Sequence, residues 1–307
     1  MKTTNPIYGI AVALMCSLAA TLKAQNLYVT IGNGTLGEYT TSGATVNASL
    51  ISGLGYPGAP GLDGVAVSGN DLFLANYAGG GPGAGFVGEY TTSGATVNAS
   101  LISGLTAAYD IAISGNDLFV VNEGVGHGTG TVGEYTTSGA TIATTLISGL
   151  DVPSSIAISG NDLFVANTAN GIVGEYTTSG ATVNASLISG LSDPQGLAIL
   201  GNDLFVTSGD TIGEYTLSGA TVKASLISGL SYPEDIAISG NDLFVVNNGG
   251  GGYIGEYTTS GATVNASLVS GIGGGTYGIA ISPVPEPSAG VLAGLGTAGL
   301  WLWHRRK

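Results

Sequence analysis

The chain has 307 residues, 54 of them glycine, and carries 20 acidic residues against six Lys and Arg. Residues 25–282 contain 19 of the acids and a single base, Lys223, which gives this body a net charge near −18. Nucleic-acid binding needs clustered Lys and Arg to displace counterions, so this charge excludes it. The one cysteine, Cys16, lies before the body, which therefore has no disulfide.

Residues 1–24 have the pattern of an export signal. Lys2 precedes an apolar run from Ile10 to Leu22, and Lys23 and Ala24 follow it. A charged start, a short apolar run and a small final residue are typical of a secretory signal peptide. We expect signal peptidase to cleave after Ala24, and an uncleaved membrane anchor is the alternative.

Six near-copies of one segment make up the body. The segment reads GEYTTSGATVNASLISGL, and its copies begin at Gly37, Gly88, Gly133, Gly174, Gly213 and Gly255. Their starts are 51, 45, 41, 39 and 42 residues apart. A period near 40 residues built from short strand-like runs is typical of a β-propeller.

Each repeat divides into four predicted strands, which are rich in β-branched and aromatic residues and are separated by Gly, Asn, Asp and Ser. The first strand has the IAIS pattern, as at residues 65–68, and the second has the NDLFVAN pattern, as at residues 70–76. GEYTTSG forms the third strand and ATVNASLISGL the fourth. Glu38 and its copies begin the third strands, where we expect them to face water.

The ends of the body predict a closed ring. Residues 26–30 match a second strand without a first, and residues 277–282 match a first strand without a second. Joined, these halves complete a sixth blade and remove the exposed edges of an open array. The sequence therefore predicts an all-β fold: a six-bladed β-propeller over residues 25–282, closed by pairing of its N- and C-terminal strands.

The consensus P-x-x-IAISGNDLFVAN…VGEYTTSGATV resembles the NHL and YVTN families of propeller repeat over the whole body. In every copy an alanine holds one place in the first strand, as Ala66 does, and an aromatic residue holds one place in the second, as Phe73 does. Blades crowd together near the axis, so we predict that these positions form the core between blades.

Candidate catalytic groups are scarce in the body. His127 is its one histidine and lies in a glycine-rich loop, so Ser–His–Asp catalysis would depend on it alone. A zinc site with several His or Cys ligands is excluded. We assign no catalytic residue, and a solvated loop histidine is the favoured interpretation.

The loops on the two faces of the predicted ring differ. Loops between strands one and two and between three and four are nearly invariant, whereas the other loops vary, which favours recognition by the variable face. Relaxed drift is the alternative. Tyrosines there could stack on sugar rings, and acids could accept hydroxyl hydrogen bonds or hold Ca²⁺. The candidate ligand-binding residues are Tyr56, Tyr109, Asp110, Asp151, Asp193, Tyr232, Glu234, Asp235 and Tyr277.

The tail at residues 283–307 has three elements in order: Val284-Pro285-Glu286-Pro287, an apolar stretch over residues 289–303, and a basic end containing Arg305 and Arg306. This order resembles the PEP-CTERM sorting signal of Gram-negative bacteria. The resemblance implies a short C-terminal hydrophobic helix, transient anchoring in the inner membrane and processing by an exosortase. A plain membrane anchor is the alternative.

Together these patterns predict an exported cell-surface or extracellular-matrix propeller with a binding or structural role. Its expected ligand is an exopolysaccharide or a surface protein, held by the variable-loop face. A metal-dependent hydrolase or lyase, with acids at the channel mouth, is one alternative. A passive coat component without a specific ligand is another.

Overall fold

A computed structural model of the chain describes residues 25–54, 61–77 and 83–282. The predicted signal peptide, the sorting tail with its hydrophobic helix, and one candidate ligand residue lie outside these ranges. The residues named in these predictions are Ala24, Tyr56, Val284, Pro285, Glu286, Pro287, Arg305 and Arg306. In the described ranges, no helix has the length and apolar character needed to cross a membrane.

Within the described ranges, 24 strands form six antiparallel sheets of four strands each. The first strands are β4 (Leu62–Ser68), β8 (Ala108–Ser114), β12 (Pro153–Ser159), β16 (Pro194–Leu200), β20 (Pro233–Ser239) and β24 (Thr276–Ile281). The second strands are β1 (Asn26–Ile31), β5 (Asp71–Asn76), β9 (Asp117–Asn122), β13 (Asp162–Asn167), β17 (Asp203–Ser208) and β21 (Asp242–Asn247). Each first strand contacts the first strands of both neighbouring blades, so these six strands surround the axis.

The outer half of each blade consists of its third and fourth strands. The third strands are β2 (Thr35–Thr40), β6 (Gly85–Thr91), β10 (Gly130–Thr136), β14 (Ile172–Thr177), β18 (Thr211–Thr216) and β22 (Tyr253–Thr258). The fourth strands are β3 (Thr45–Ile51), β7 (Thr96–Leu105), β11 (Thr141–Leu150), β15 (Thr182–Ser189), β19 (Thr221–Ser228) and β23 (Thr263–Ser270). A short 3-10 turn at Gly249–Gly251 precedes β22.

The last strand closes the ring by pairing with the first. In the antiparallel pair β24–β1, Leu27 lies opposite Ile281 and Tyr28 opposite Ala280. The Asn26 amide donates to Ser282 Oγ at 2.8 Å, which extends the pairing past the end of β24. The predicted closed six-bladed propeller is confirmed.

The predicted alanine and aromatic positions lie opposite each other across the first and second strands. Ala66 pairs with Phe73, and the other blades repeat this pairing. Phe73 is 2% exposed and packs with Ile111 and Leu118 of the following blade. A small residue beside each ring lets neighbouring blades approach, and burying each aromatic ring contributes roughly 2–3 kcal/mol.

The expectation that the third-strand glutamates face water is wrong for Glu38, which is 7% exposed. The other five copies are partly buried. Glu38 lies opposite Tyr28, where the other blades have phenylalanine. Asn26 Nδ2 donates to Glu38 Oε1 at 2.6 Å, so this blade supplies a polar partner that permits burial.

Candidate functional site

The starts of the first strands and the ends of the second strands meet on the variable face, where backbone hydrogen bonds tie them together. The Tyr77 amide donates to the Gly61 carbonyl at 3.0 Å, and the Glu123 amide donates to the Ala107 carbonyl at 2.9 Å. In these two blades the bond holds the residue that follows the second strand next to the residue that precedes the first. Tyr77 and Glu123 are thereby placed at the mouth of the central channel.

Four of the residues that precede first strands adopt left-handed backbone conformations, with φ between 52° and 58°: Ala107, Val152, Asp193 and Tyr232. This conformation is uncommon for residues other than glycine. Two predicted ligand residues lie at these positions and are exposed, Asp193 and, at 74%, Tyr232, whereas Ala107 in the same conformation is buried. Both lie on the rim of the mouth.

The second residue of every first strand lines the channel. These equivalent residues are Asp63, Tyr109, Ser154, Gln195, Glu234 and Tyr277. Five of the six, with Tyr77 and Glu123, line a mouth cavity of about 350 Å³. Below it the channel narrows to a throat of about 20 Å³, where Glu234 joins the lining. The mouth has the size of a small-ligand site, whereas the throat has room for about one water molecule.

The third residues of two first strands, Asp110 and Asp235, tie neighbouring blades together beneath the mouth. Asp110 Oδ2 accepts from the Ile156 amide at 3.0 Å and from Ser155 Oγ at 2.9 Å, both in the next blade. Asp235 Oδ2 likewise accepts from the Ile279 amide at 2.9 Å. In both aspartates the other oxygen, Oδ1, accepts from the amide of the next residue.

The position of these ties depends on glycine in the preceding blade. A Cβ at Gly64 would lie 2.7 Å from Asp110 Cα, and one at Gly196 would lie 2.6 Å from Asp235 Cα. Burial raises the pKa of Asp110 to about 6 and that of Asp235 well above its usual range, while the amide donors lower both. Since all four carboxyl oxygens are engaged, this pair holds the ring together at the throat.

Asp63 differs from this pair, because one of its oxygens has nothing to bond. Its side chain is 3% exposed, and Oδ2 has no hydrogen-bond partner in the described part of the chain. Burial is the main cause that raises its pKa to about 8, and the nearby charges of Glu123 and Glu234 act in the same direction. Asp63 is therefore a neutral carboxylic acid near pH 7.

Tyrosine rings form the walls of the mouth. Tyr77 and Tyr109 meet edge to face, with ring centroids 6.4 Å apart and planes at 84°. The Tyr77 hydroxyl also hydrogen-bonds the Glu123 carboxylate. Burial and the charge of Asp63 both raise the pKa of Tyr109 and Tyr277. These rings are therefore hydroxyl donors at neutral pH.

The structure divides the predicted ligand residues into three groups. Tyr109, Glu234 and Tyr277 line the channel, and Asp110 and Asp235 line its throat with their oxygens occupied. The rest lie on the rim: Asp151, Asp193 and Tyr232. His127 Nδ1 contacts Asp151 Oδ1 at 2.7 Å, and its ring is 82% exposed. The described residues contain no group of three or more His, Cys, Asp or Glu side chains able to hold a metal ion.

Sequence reasoning missed Asp63, Ser154 and Gln195, which fill channel-lining positions. Their common position is the second of the three residues before the I-A-I-S pattern, and it carries five residue types in six blades. That variation within an otherwise uniform repeat was the available signal. A larger cavity of about 510 Å³ lies outside the ring, between β7 and β11, but its lining has no Asp, Glu, His, Lys or Arg.

Residues 283–307 match the family model of the PEP-CTERM protein-sorting motif. The chain ends in a PEP-CTERM sorting motif. This motif implies export, a sorting signal anchored in the membrane and processing by an exosortase. No curated protein matches the chain.

Solved structures share the propeller fold at low sequence identity. A chain in the crystal structure of a nidogen/laminin complex has a TM-score of 0.69 and 14% identity, over 85% of this chain and 99% of that one. A protein of unknown function from Bacteroides caccae has a TM-score of 0.65 and 16% identity, over 86% and 100%. A functionally unknown protein from Desulfotomaculum acetoxidans has a TM-score of 0.60 and 18% identity, over 84% and 85%. These matches show the propeller fold alone.

Proposed function

We propose that this protein is a binding component of the cell surface or extracellular matrix of a Gram-negative bacterium, and that its channel mouth holds a saccharide unit of an exopolysaccharide. In this proposal residues 1–24 and 283–307 serve export and sorting, and residues 25–282 do the binding. The observation that carries the proposal is the second position of the first strands. This position carries different polar and aromatic residues in different blades, all at the axis, while the surrounding repeat is nearly the same in every blade.

The chemistry of the mouth suits a polyhydroxylated ring. Sugar hydroxyls both donate and accept hydrogen bonds, and Gln195, Tyr277 and the neutral acid Asp63 can serve them in both directions. Tyr109 offers an aromatic surface to a sugar ring. Because the body is strongly negative, an acidic polysaccharide would be repelled, so the expected saccharide is neutral or cationic.

The other candidate functions have less support in this geometry. The metal-dependent hydrolase or lyase would rely on clustered acids, but Oδ2 of both Asp110 and Asp235 bonds the next blade and Oδ1 accepts from the following amide. A surface-protein partner would use the rim, where Tyr232 is exposed. A passive coat would need no diversity at the axis. We therefore favour the saccharide.

The test is a polysaccharide and oligosaccharide binding screen of the purified full-length chain, kept in solution with a neutral detergent. We expect saturable binding that falls about tenfold or more in both Tyr277→Ala and Gln195→Ala, a loss of at least about 1.4 kcal/mol. Tyr232→Ala is the matched control on the rim and should bind normally. Normal binding by both mouth variants, or no binding to any glycan by folded protein, would refute the proposal.

A further inference from the structure

Three carboxyl groups face the channel axis without a positive partner. Asp63 lies where mouth and throat meet, Glu123 lines the mouth, and Glu234 lines the throat. Glu123 and Glu234 both raise the pKa of Asp63, so each of them lies close enough to Asp63 to interact with it electrostatically. The body's single Lys or Arg, Lys223, is exposed on the outer strand β19, opposite Glu214. No cation of the body therefore compensates the cluster.

One carboxyl oxygen of Asp63 has no donor among the described residues, and it indicates which chemical group a ligand of the mouth would supply. Glu123 has the Tyr77 hydroxyl as a partner, and Glu234 Oε1 accepts from Asn248 Nδ2 at 3.2 Å. Asp63 Oδ2, buried at the cavity wall, has no donor from the described residues. Leaving a buried acceptor unpaired is costly, and such groups in native proteins usually have a partner that is not part of the chain.

The aromatic walls favour a cation over a neutral donor. Tyr77, Tyr109 and Tyr277 line the mouth beside Asp63. The face of an aromatic ring attracts a positive charge within about 6 Å, and the attraction strengthens where water is excluded. Carboxyl groups and aromatic faces together therefore select a positively charged group that also carries N–H donors.

The spacing of the acids decides between a metal ion and an organic cation. Among the described residues no three acidic side chains converge closely enough to coordinate one metal ion. A primary ammonium has three N–H donors and needs no such convergence, and the 350 Å³ cavity leaves space for the molecule that carries it. A quaternary ammonium has no N–H and would leave Asp63 Oδ2 unpaired.

We propose that the mouth binds an amino sugar with a free amine, and that its ammonium group donates to Asp63 while the sugar ring lies between the tyrosines. This inference rests on the proposed saccharide function and names the class of sugar. Asp63 is its positioning contact, and Glu123 and Glu234 contribute long-range attraction.

Binding of this cation is coupled to a proton. Near neutral pH Asp63 is protonated, because burial and the charges of Glu123 and Glu234 raise its pKa to about 8. The tyrosines around it are Tyr77, Tyr109 and Tyr277, which stay neutral there because burial raises the pKa of each. Asp110 and Asp235 line the throat with Asp63, and their oxygens accept from backbone amides. A bound ammonium favours the carboxylate, so Asp63 loses its proton to the buffer when the sugar binds.

The experiment is isothermal titration calorimetry of the full-length chain with D-glucosamine, N-acetyl-D-glucosamine and D-glucose, each in two buffers of different ionisation enthalpy. We expect glucosamine to bind about tenfold or more tighter than both neutral sugars, since a buried charge pair is lost with them. The buffers should reveal about one proton released per glucosamine bound.

Asp63→Asn keeps the shape and the neutral state of the side chain, so we expect it to fold, to lose the preference for glucosamine and to release no proton. Asp210→Asn is the matched control, because Asp210 is an exposed acid on the same face.

Equal binding of all three sugars would overturn the ammonium inference and leave the saccharide function standing. Binding of methylammonium as tightly as glucosamine would support the ammonium contact and count against a saccharide. If glucosamine does not bind, a water molecule in the throat is the only partner left for Asp63, and the inference is overturned.

Discussion

Replacing Asp63 with Asn should stabilise the ligand-free protein, and the gain should grow with pH. An acid whose pKa is higher in the folded state than in the unfolded state binds more protons when folded, so folding weakens as pH rises between the two values. For Asp63 the unfolded and folded pKa values are 3.8 and about 8. This is the opposite of a salt-bridged aspartate, whose contribution disappears as the pH falls.

The size of the effect follows from the shift. Each pKa unit corresponds to about 1.4 kcal/mol, so Asp63 lowers the free energy of unfolding by on the order of 4 kcal/mol near pH 7. The amide introduced by Asp63→Asn titrates in neither state, which removes this cost while the 3%-exposed site keeps its shape. The difference between variant and wild type should be near zero at about pH 4 and largest above about pH 8.

Urea unfolding at several pH values, followed by far-ultraviolet circular dichroism, measures this difference. Carboxyl groups that do not interact with Asp63 titrate equally in both proteins and cancel in the comparison, whereas Glu123 and Glu234 lose a neighbouring charge in the variant. Asp210→Asn, which removes an exposed acidic side chain on the same face, is the matched control. A difference between Asp63→Asn and wild type that stays flat from about pH 4 to about pH 8 would refute the assignment of Asp63 as a buried neutral acid.

Three further substitutions test the architecture around the mouth. Gly64→Ala places a Cβ 2.7 Å from backbone atoms of the next blade, so we expect a loss of about 1–3 kcal/mol in urea unfolding, whereas Gly274→Ala, in open space, should be nearly neutral. Asp235→Ala removes the tie to the next blade and should cost about 1–3 kcal/mol, with a lower thermal midpoint as the readout. Phe205→Ala should cost about 3–5 kcal/mol, while Val222→Ala, at a 53%-exposed site, should cost little; similar losses for both would contradict the interblade core.

The strands and their closure could be predicted because they recur. Six copies of the same pattern locate every turn, and the unmatched halves at residues 26–30 and 277–282 reveal which strands pair. The Ala66–Phe73 pairing followed from repetition as well. Because each strand pattern occurs in six copies, a strand that is unclear in one copy can be located from the others. The predicted strand order therefore agrees with the structure.

The candidate site was predicted only in part, because it occupies the positions that do not recur. The first strands begin before the I-A-I-S pattern, as β4 does at Leu62, so their channel-lining residues looked like loop. Asp63 lies in one such irregular stretch and showed no sign of burial. Asp193 and Tyr232 have the right chemistry for a ligand, but they precede their first strands and are exposed on the rim. Residue type alone does not reveal whether such a position faces the channel or the solvent.

The seam that closes the ring also determines the face on which the two ends of the body lie. Gln25 Nε2 donates to the Ser282 carbonyl at 2.7 Å, and Ser239 Oγ donates to Gln25 Oε1 beside the Gly-Asn turn of the neighbouring blade. The two ends of the body, Gln25 and Ser282, therefore lie on the invariant face, opposite the mouth. Any polypeptide that tethers the ring through Ser282 starts from its underside, on the face opposite Asp63 and the tyrosine walls.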